Sequence, residues 1–257
     1  MENKQITTYL GNISISIDGA SEDEPLVFLH GMFMDKTLWE KFGSKLTGRK
    51  HIYIDMPAHG SSSNVEHKWS LDDCVDMLMT VLDELTIKRC IIIGHSWGSM
   101  TGLRAAHKYP SRFSALGLFN MRFKRIKGIS RAGFNIQKLL SMFPKFYAKQ
   151  AAKSLYSQSL LLKRPELLDN LQRNLSSRPS KEIRQILDAV ILNANDAINL
   201  IQSLKVPAFA VVGEEDASCT APPELETLIV SGGHVSPYEA PEEILSVISN
   251  VIKVSMT

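Results

Sequence analysis

The sequence predicts an α/β protein, a mostly parallel eight-stranded sheet flanked by helices, with a helical segment inserted before the last strands. Three observations predict it. Short apolar runs alternate with amphipathic helical patterns as far as Phe119 and again from Pro207, the signature of parallel strands joined by crossover helices. The unbroken Ile91-Ile92-Ile93 run suits a strand covered on both faces. Between Met121 and about Asn193 the pattern is helical throughout.

Taken in order, Tyr9 to Asp18 alternates polar and apolar residues, and Ile6 to Leu10 suits a hairpin partner across Gly11-Asn12. Leu26 to Leu29 is a compact strand ending in His30-Gly31-Met32-Phe33. Leu38, Phe42 and Leu46 are spaced for one face of a helix over Thr37 to Leu46. His51 to Ile54 is the next strand, stopped by the turn-rich Asp55-Met56-Pro57-Ala58-His59-Gly60-Ser61. Ser70 is placed to cap a helix whose buried stripe runs Leu71, Val75, Leu78, Leu82, Leu85, with Asp73 near its positive end. Strands follow at Ile91 to Ile93 and Ala115 to Phe119. In the insertion, Pro144 and Pro165 break the helical run. Ala208 to Val212 and Thr227 to Val230 complete the sheet. Pro241 then opens a closing helix with Ile244, Leu245, Ile248 and Ile252 buried. These boundaries divide the chain into a core of residues 1–120 and 194–257 and a helical cap of residues 121–193.

At 257 residues with 44% hydrophobic and 22% charged content, the chain has the make-up of a soluble globular protein. No run approaches a membrane span, Met1 to Leu10 lacks the basic and apolar regions of a signal peptide, and three scattered cysteines suggest neither disulfides nor zinc. A reducing, cytoplasmic location is expected. The net charge of +2 is small, and no nucleic acid partner is expected.

Chemistry concentrates at Gly94-His95-Ser96-Trp97-Gly98, a G-x-S-x-G run between a predicted strand and helix. The glycines permit so tight a turn that the serine is held exposed at the strand's carboxyl end, beside the amides that open the helix. Further strand ends carry His30-Gly31, Asp55-x-Pro-x-His59-Gly60-x-Ser62, Gly213-x-x-Asp216 and Gly233-His234. With these motifs the chain resembles the α/β-hydrolase superfamily, whose nucleophile, acid and base follow in the order Ser96, Asp216, His234.

The resemblance implies acyl transfer, with Ser96 as nucleophile, His234 as general base and Asp216 orienting the imidazole. The backbone N–H groups of Met32 and Trp97 would form the oxyanion hole. Phe33, Met121, Arg122 and Arg125 are the expected substrate contacts, at a mouth lined by Met32, Phe33, Trp97 and Met121. Neither a metal nor an organic cofactor is needed. The expected substrate is a carboxylic ester, lactone or thioester. Carbon–carbon bond hydrolysis of the meta-cleavage type and a weakly catalytic ligand receptor remain as alternatives on the same fold.

Other histidines have plainer expectations. His51, His67 and His107 lie among polar residues and should face solvent, His30 and His59 should stabilise turns, and His95 should point away from the nucleophile. Gly-x-x-Asp spacing favours Asp216 over Glu214 and Glu215, and the other family position for the acid, after Phe119, holds Asn120. Two departures stand out. Only seventeen residues separate Asp216 from His234, a tight crossover in which Pro222 to Leu225 would make one helical turn. Ala58 replaces the usual glycine before His59, a change expected to be benign. Finally, Met121 to Pro165 holds eleven basic residues and no acid. The first expectation for such an island is a solvated helix face offset by acids elsewhere, such as Asp72, Asp73 and Asp76; the functional reading is attraction of an anionic substrate or, less so, of an acidic membrane surface.

Overall fold

In the computed structural model, which describes residues 1–256, eight strands form one sheet. They are β1 (Glu2–Thr8), β2 (Gly11–Asp18), β3 (Leu26–Leu29), β4 (His51–Ile54), β5 (Cys90–His95), β6 (Phe113–Phe119), β7 (Ala208–Gly213) and β8 (Glu226–Val230). Their order is β1-β2-β4-β3-β5-β6-β7-β8. Only β1–β2 and β2–β4 pair antiparallel; every pairing from β4 through β8 is parallel. The central strands β3, β4, β5 and β6 are buried along their whole length, which is why they read as continuous apolar runs rather than alternating ones.

The helices are α1 (Thr37–Glu40), α2 (Leu71–Glu84), α3 (Trp97–Lys108), α4 (Gly128–Leu140), α5 (Pro144–Leu155), α6 (Gln158–Lys163), α7 (Glu166–Ser176), α8 (Ser180–Ile186), α9 (Ile198–Gln202), α10 (Ser236–Glu239) and α11 (Pro241–Val254). Helix α8 runs on into a π-helical stretch, Leu187–Leu192. Ser70 and Asp73 form a reciprocal capping box at the start of α2, satisfying two amides that the helix itself leaves free. Pro241 occupies the first turn of α11, whose buried stripe is Ile244, Val247, Ile248 and Val251; Leu245 and Ile252 flank it, half-buried. Helices α4 to α8 all lie between β6 and β7 in the chain. Pro144 opens α5 and Pro165 stands at the start of α7.

Several local expectations are corrected. The hairpin turns at Tyr9-Leu10, and Gly11, with φ of +90°, already pairs with Thr8 as the first residue of β2. The helix expected over Thr37 to Leu46 is α1 followed by a separate 3-10 turn at Gly43–Lys45. Gly43 packs so closely on Tyr53 that a Cβ would stand 2.5 Å from the phenol oxygen, and contact with the sheet sets the path there rather than helical period. His51 is buried, its ring edge-on to Phe28. The link from β7 to β8 contains a turn closed by Leu225 N–H on Pro222 O, with no helix. Without that covering helix, Leu228 and Ile229 of β8 remain exposed. No helix among the described residues is long and apolar enough to cross a membrane.

Candidate active site

Strand β5 delivers Ser96 to the carboxyl edge of the sheet and α3 begins at the next residue. Ser96 has φ 50° and ψ −109°, a strained conformation for a residue with a side chain. Its amide is held by Phe119 O at 2.7 Å, and Ser99 Oγ donates to Gly94 O at 2.6 Å, tying the first helical turn back to the strand. Space explains the flanking glycines. A Cβ on Gly94 would lie 2.5 Å from Ser99 N, and one on Gly98 would lie 2.3 Å from Leu29 O.

His234 follows β8, and its chain position is 138 residues from Ser96, yet Nε2 stands 2.8 Å from Ser96 Oγ. Its Nδ1 is 2.8 Å from Asp216 Oδ2. A carboxylate can only accept, so Nδ1 carries the proton and Nε2 faces the serine hydroxyl as an acceptor. Asp216 also accepts from Asn120 Nδ2 at 3.0 Å, from Ser218 N at 2.9 Å and from Ser218 Oγ at 2.6 Å. Burial alone would raise its pKa; the hydrogen bonds from His234, Ser218 and Asn120 outweigh burial and hold the carboxyl well below its usual range. For His234, burial disfavours the imidazolium, but the neighbouring Cys219 sulfur and Asp216 carboxylate reverse that and raise it above an ordinary histidine. The tight connection to β8 therefore leaves the Asp216 carboxylate and the His234 imidazole in contact, and neither Glu214 nor Glu215 takes that place.

Three further histidines, His30, His59 and His95, hold backbone groups near the site. His59 Nε2 accepts the Phe33 amide and His30 Nε2 accepts the Met56 amide, each at 2.9 Å. Both are fully buried, and desolvation keeps them neutral. His95 donates Nε2–H to His234 O at 2.8 Å, and burial depresses its imidazolium to about 3. It supports the backbone of His234. His59 occupies the Phe33 amide and so takes it away from any bound molecule, which makes the Met32 amide the candidate of the two. Trp97, at the first position of α3, has no intrahelical acceptor for its own.

Ser96 and His234 open into a cavity with about 630 Å³ of empty space, its mouth included, lined by Met32, Phe33, Met100, Tyr147, Leu187 and Ile191 among others. The π-helical stretch contributes Leu187 and Ile191. Arg122 lines the same cavity. Its Nε reaches Ser218 O at 3.5 Å, its guanidinium lies 5.2 Å from the Phe134 ring centre, and its Nη1 is buried with no hydrogen-bond partner. Burial depresses its guanidinium below the usual arginine value.

Three expected contacts are not brought to this cavity. The Met121 side chain is packed into the core. The Trp97 indole is fully buried, stacked on Trp69 with ring centres 5.4 Å apart. Arg125 is exposed in the neighbouring groove, with Lys124, Lys127 and Lys153. Nearness to a strand end does not set the direction of a side chain, and alternate residues leave β6 on opposite sides. Conversely, residue-by-residue reading missed Asn120 and Ser218 as partners of the acid. The Asp-x-Ser spacing of Asp216 and Ser218 was a usable signal, since such pairs commonly bond locally.

Asp216, Cys219 and His234 also present an oxygen, a sulfur and a nitrogen within 4.8 Å of one another. The His234 nitrogen in that set is the one already engaged with Asp216.

A family model described as the alpha/beta hydrolase fold matches residues 24–241. Among curated relatives, the chain is 27% identical over 236 residues to a dihydrolipoyllysine-residue acetyltransferase component of the acetoin cleaving system from Pseudomonas putida; the match covers 88% of this chain and 62% of the relative's length. Among solved structures, a thermophilic esterase from Thermogutta terrifontis superposes with a TM-score of 0.85 at 20% identity, covering 100% of both chains. The enol-lactonase from Burkholderia xenovorans LB400 superposes with a TM-score of 0.88 at 16% identity, covering 97% of this chain and 100% of the other.

Proposed function

The chain belongs to the α/β-hydrolase fold family, and from that premise we propose that it is a serine hydrolase that cleaves a carboxylic ester, lactone or thioester. The observation that carries this reading is the pair of 2.8 Å contacts linking Ser96, His234 and Asp216 in one line. A serine hydroxyl is a poor nucleophile at its own pKa, and an imidazole placed to take its proton overcomes that. In this reading Ser96 Oγ attacks the substrate carbonyl as its proton passes to His234 Nε2. Asp216 keeps the imidazole in the required tautomer and stabilises the imidazolium.

The Met32 and Trp97 amides would meet the oxyanion, helped by the positive end of α3. His234 then protonates the leaving alcohol or thiol. Water, deprotonated in turn by His234, attacks the acyl-enzyme and releases the acid. Residues 121–193 would act as a cap over the cavity, with Tyr147, Leu187 and Ile191 meeting the apolar part of the substrate. Two structurally similar proteins, named as an esterase and an enol-lactonase, are in keeping with this chemistry.

The test combines a fluorophosphonate probe with turnover of p-nitrophenyl esters of graded chain length, acyl-homoserine lactones and acyl-CoAs. Labelling at Ser96 together with turnover of one class supports the reading. Failure of both labelling and turnover would overturn it.

A further inference from the structure

The half-buried Arg122 differs from Arg104, the arginine buried in the core, and shares with Arg178 a buried guanidinium nitrogen that has no partner. Arg104 is satisfied within the protein, its two terminal nitrogens donating to Met100 O and Asn195 O at 3.0 Å each. Arg122 has a long contact from Nε to Ser218 O and a face against Phe134, while Nη1 is shut away from solvent with nothing to bond. A buried guanidinium donor without an acceptor is costly. The Arg122 side chain lines the same cavity as Ser96 and His234, so an anion bound there can turn the guanidinium toward itself and give the unpartnered donor an acceptor.

A second observation points the same way. The cavity adjoins a surface groove, and both are lined by Arg122, Phe134, Gln137, Ser154 and Ser218. The groove adds Lys124, Arg125, Lys127 and Lys153 against one acid, Glu215. Other basic residues of the insertion are neutralised locally, Lys138 by Asp188 at 2.5 Å and Arg164 by Glu166 at 2.8 Å. Five of the eleven basic residues between Met121 and Pro165, Arg122, Lys124, Arg125, Lys127 and Lys153, thus line the groove that leads into the cavity, with Arg122 at the junction.

Building on the hydrolase reading of Ser96, we propose that the substrate carries a free carboxylate in addition to its ester, lactone or thioester bond, and that the Arg122 guanidinium binds this carboxylate. The basic groove draws the anion in, and Arg122 selects it once solvent is excluded. Arg122 is thus a specificity residue. A carboxylate suits the guanidinium in shape as well as charge.

The experiment compares 4-nitrophenyl hydrogen adipate with its neutral methyl ester, both followed by release of 4-nitrophenolate. A hydrogen bond to a buried charge corresponds to about tenfold or more, so wild-type kcat/KM should favour the anionic ester by at least about that factor. Arg122→Gln should bring the ratio of the two substrates close to unity, and Arg122→Lys should restore part of it. Rising salt should lower the wild-type ratio, because screening weakens the groove. Equal rates on the two esters in the wild type, or a preference that survives in Arg122→Gln, would overturn the proposal while leaving the hydrolase reading intact. Should neither ester react, titration of adipate into the Ser96→Ala protein reads the carboxylate site directly. Binding that Arg122→Gln abolishes upholds it, and absence of binding refutes it.

Discussion

The side-chain amide of Asn120 donates to Asp216 Oδ2 at 3.0 Å while its oxygen accepts from Ser236 Oγ at 2.5 Å, so the orientation of this fully buried amide is set from both ends. Residue 120 follows β6, the strand end at which some members of the superfamily carry their acid. Here it helps to hold the acid presented from β7. Asn120→Asp keeps the shape and places a second carboxylate against the first. Two buried carboxyls at that separation cannot both ionise, so the new group's pKa is raised in the folded protein. The native state then binds more protons than the unfolded chain above the unfolded carboxyl value near 4, and stability falls as pH rises from there toward the raised value. The melting temperature of Asn120→Asp should therefore drop relative to the wild type between about pH 4 and pH 8. Parallel melting curves over that range would contradict the contact.

Ser96→Ala should fold normally and hydrolyse at least about a thousandfold more slowly, since only binding and oxyanion stabilisation survive loss of a triad member. Turnover by a purified sample and loss of fluorophosphonate labelling are the measurements. Near-wild-type rates would rule out the serine mechanism.

Asp216→Asn should cost about a hundredfold or more in kcat/KM and also move the pH profile. Asp216 favours the imidazolium, so its removal lowers the pKa of His234 and leaves the base neutral at lower pH. The acid limb of kcat/KM should shift downward in pH. Glu215→Gln, altering a side chain outside the relay, should leave the limb where it is.

Ala58 has φ of +58°, in the left-handed region that suits glycine. The alanine that looked benign in the sequence therefore carries strain, held in place by its amide bonding to Ser63 O at 3.1 Å. Ala58→Gly should stabilise the protein by up to about 1 kcal/mol, the conformational cost of alanine there less the extra chain entropy a glycine loses. Urea denaturation gives the difference, and a destabilised variant would refute it.

What the sequence makes legible is what local chemistry dictates. The strands around Ile92, Phe28 and Leu116 are read easily because burial on both faces demands unbroken apolar runs. Ser96, Asp216 and His234 are legible because each follows such a run within a glycine-marked turn. Contacts between distant segments are not. Nothing near Asn120 announces Asp216, and nothing near His51 announces the Phe28 ring that buries it. Gly11 shows the reverse error, a residue suited to a turn that serves as the opening of a strand. Arg122 and Arg125 look equivalent by their distance from β6, yet one enters the cavity and the other faces the neighbouring groove.

The separation of Ser96 and His234 along the chain also has a consequence in time. At about 5–20 residues per second, a ribosome needs roughly 7–28 s to travel from one codon to the other. Throughout that interval the nascent polypeptide holds a serine with no base beside it, and the strand that delivers Asp216 has yet to join β6. On the proposed mechanism the hydroxyl would therefore stay dormant during translation. On the proposed mechanism, reactivity is conferred when β7 and β8 dock and bring His234 across, so the birth of the nucleophile would coincide with completion of the sheet.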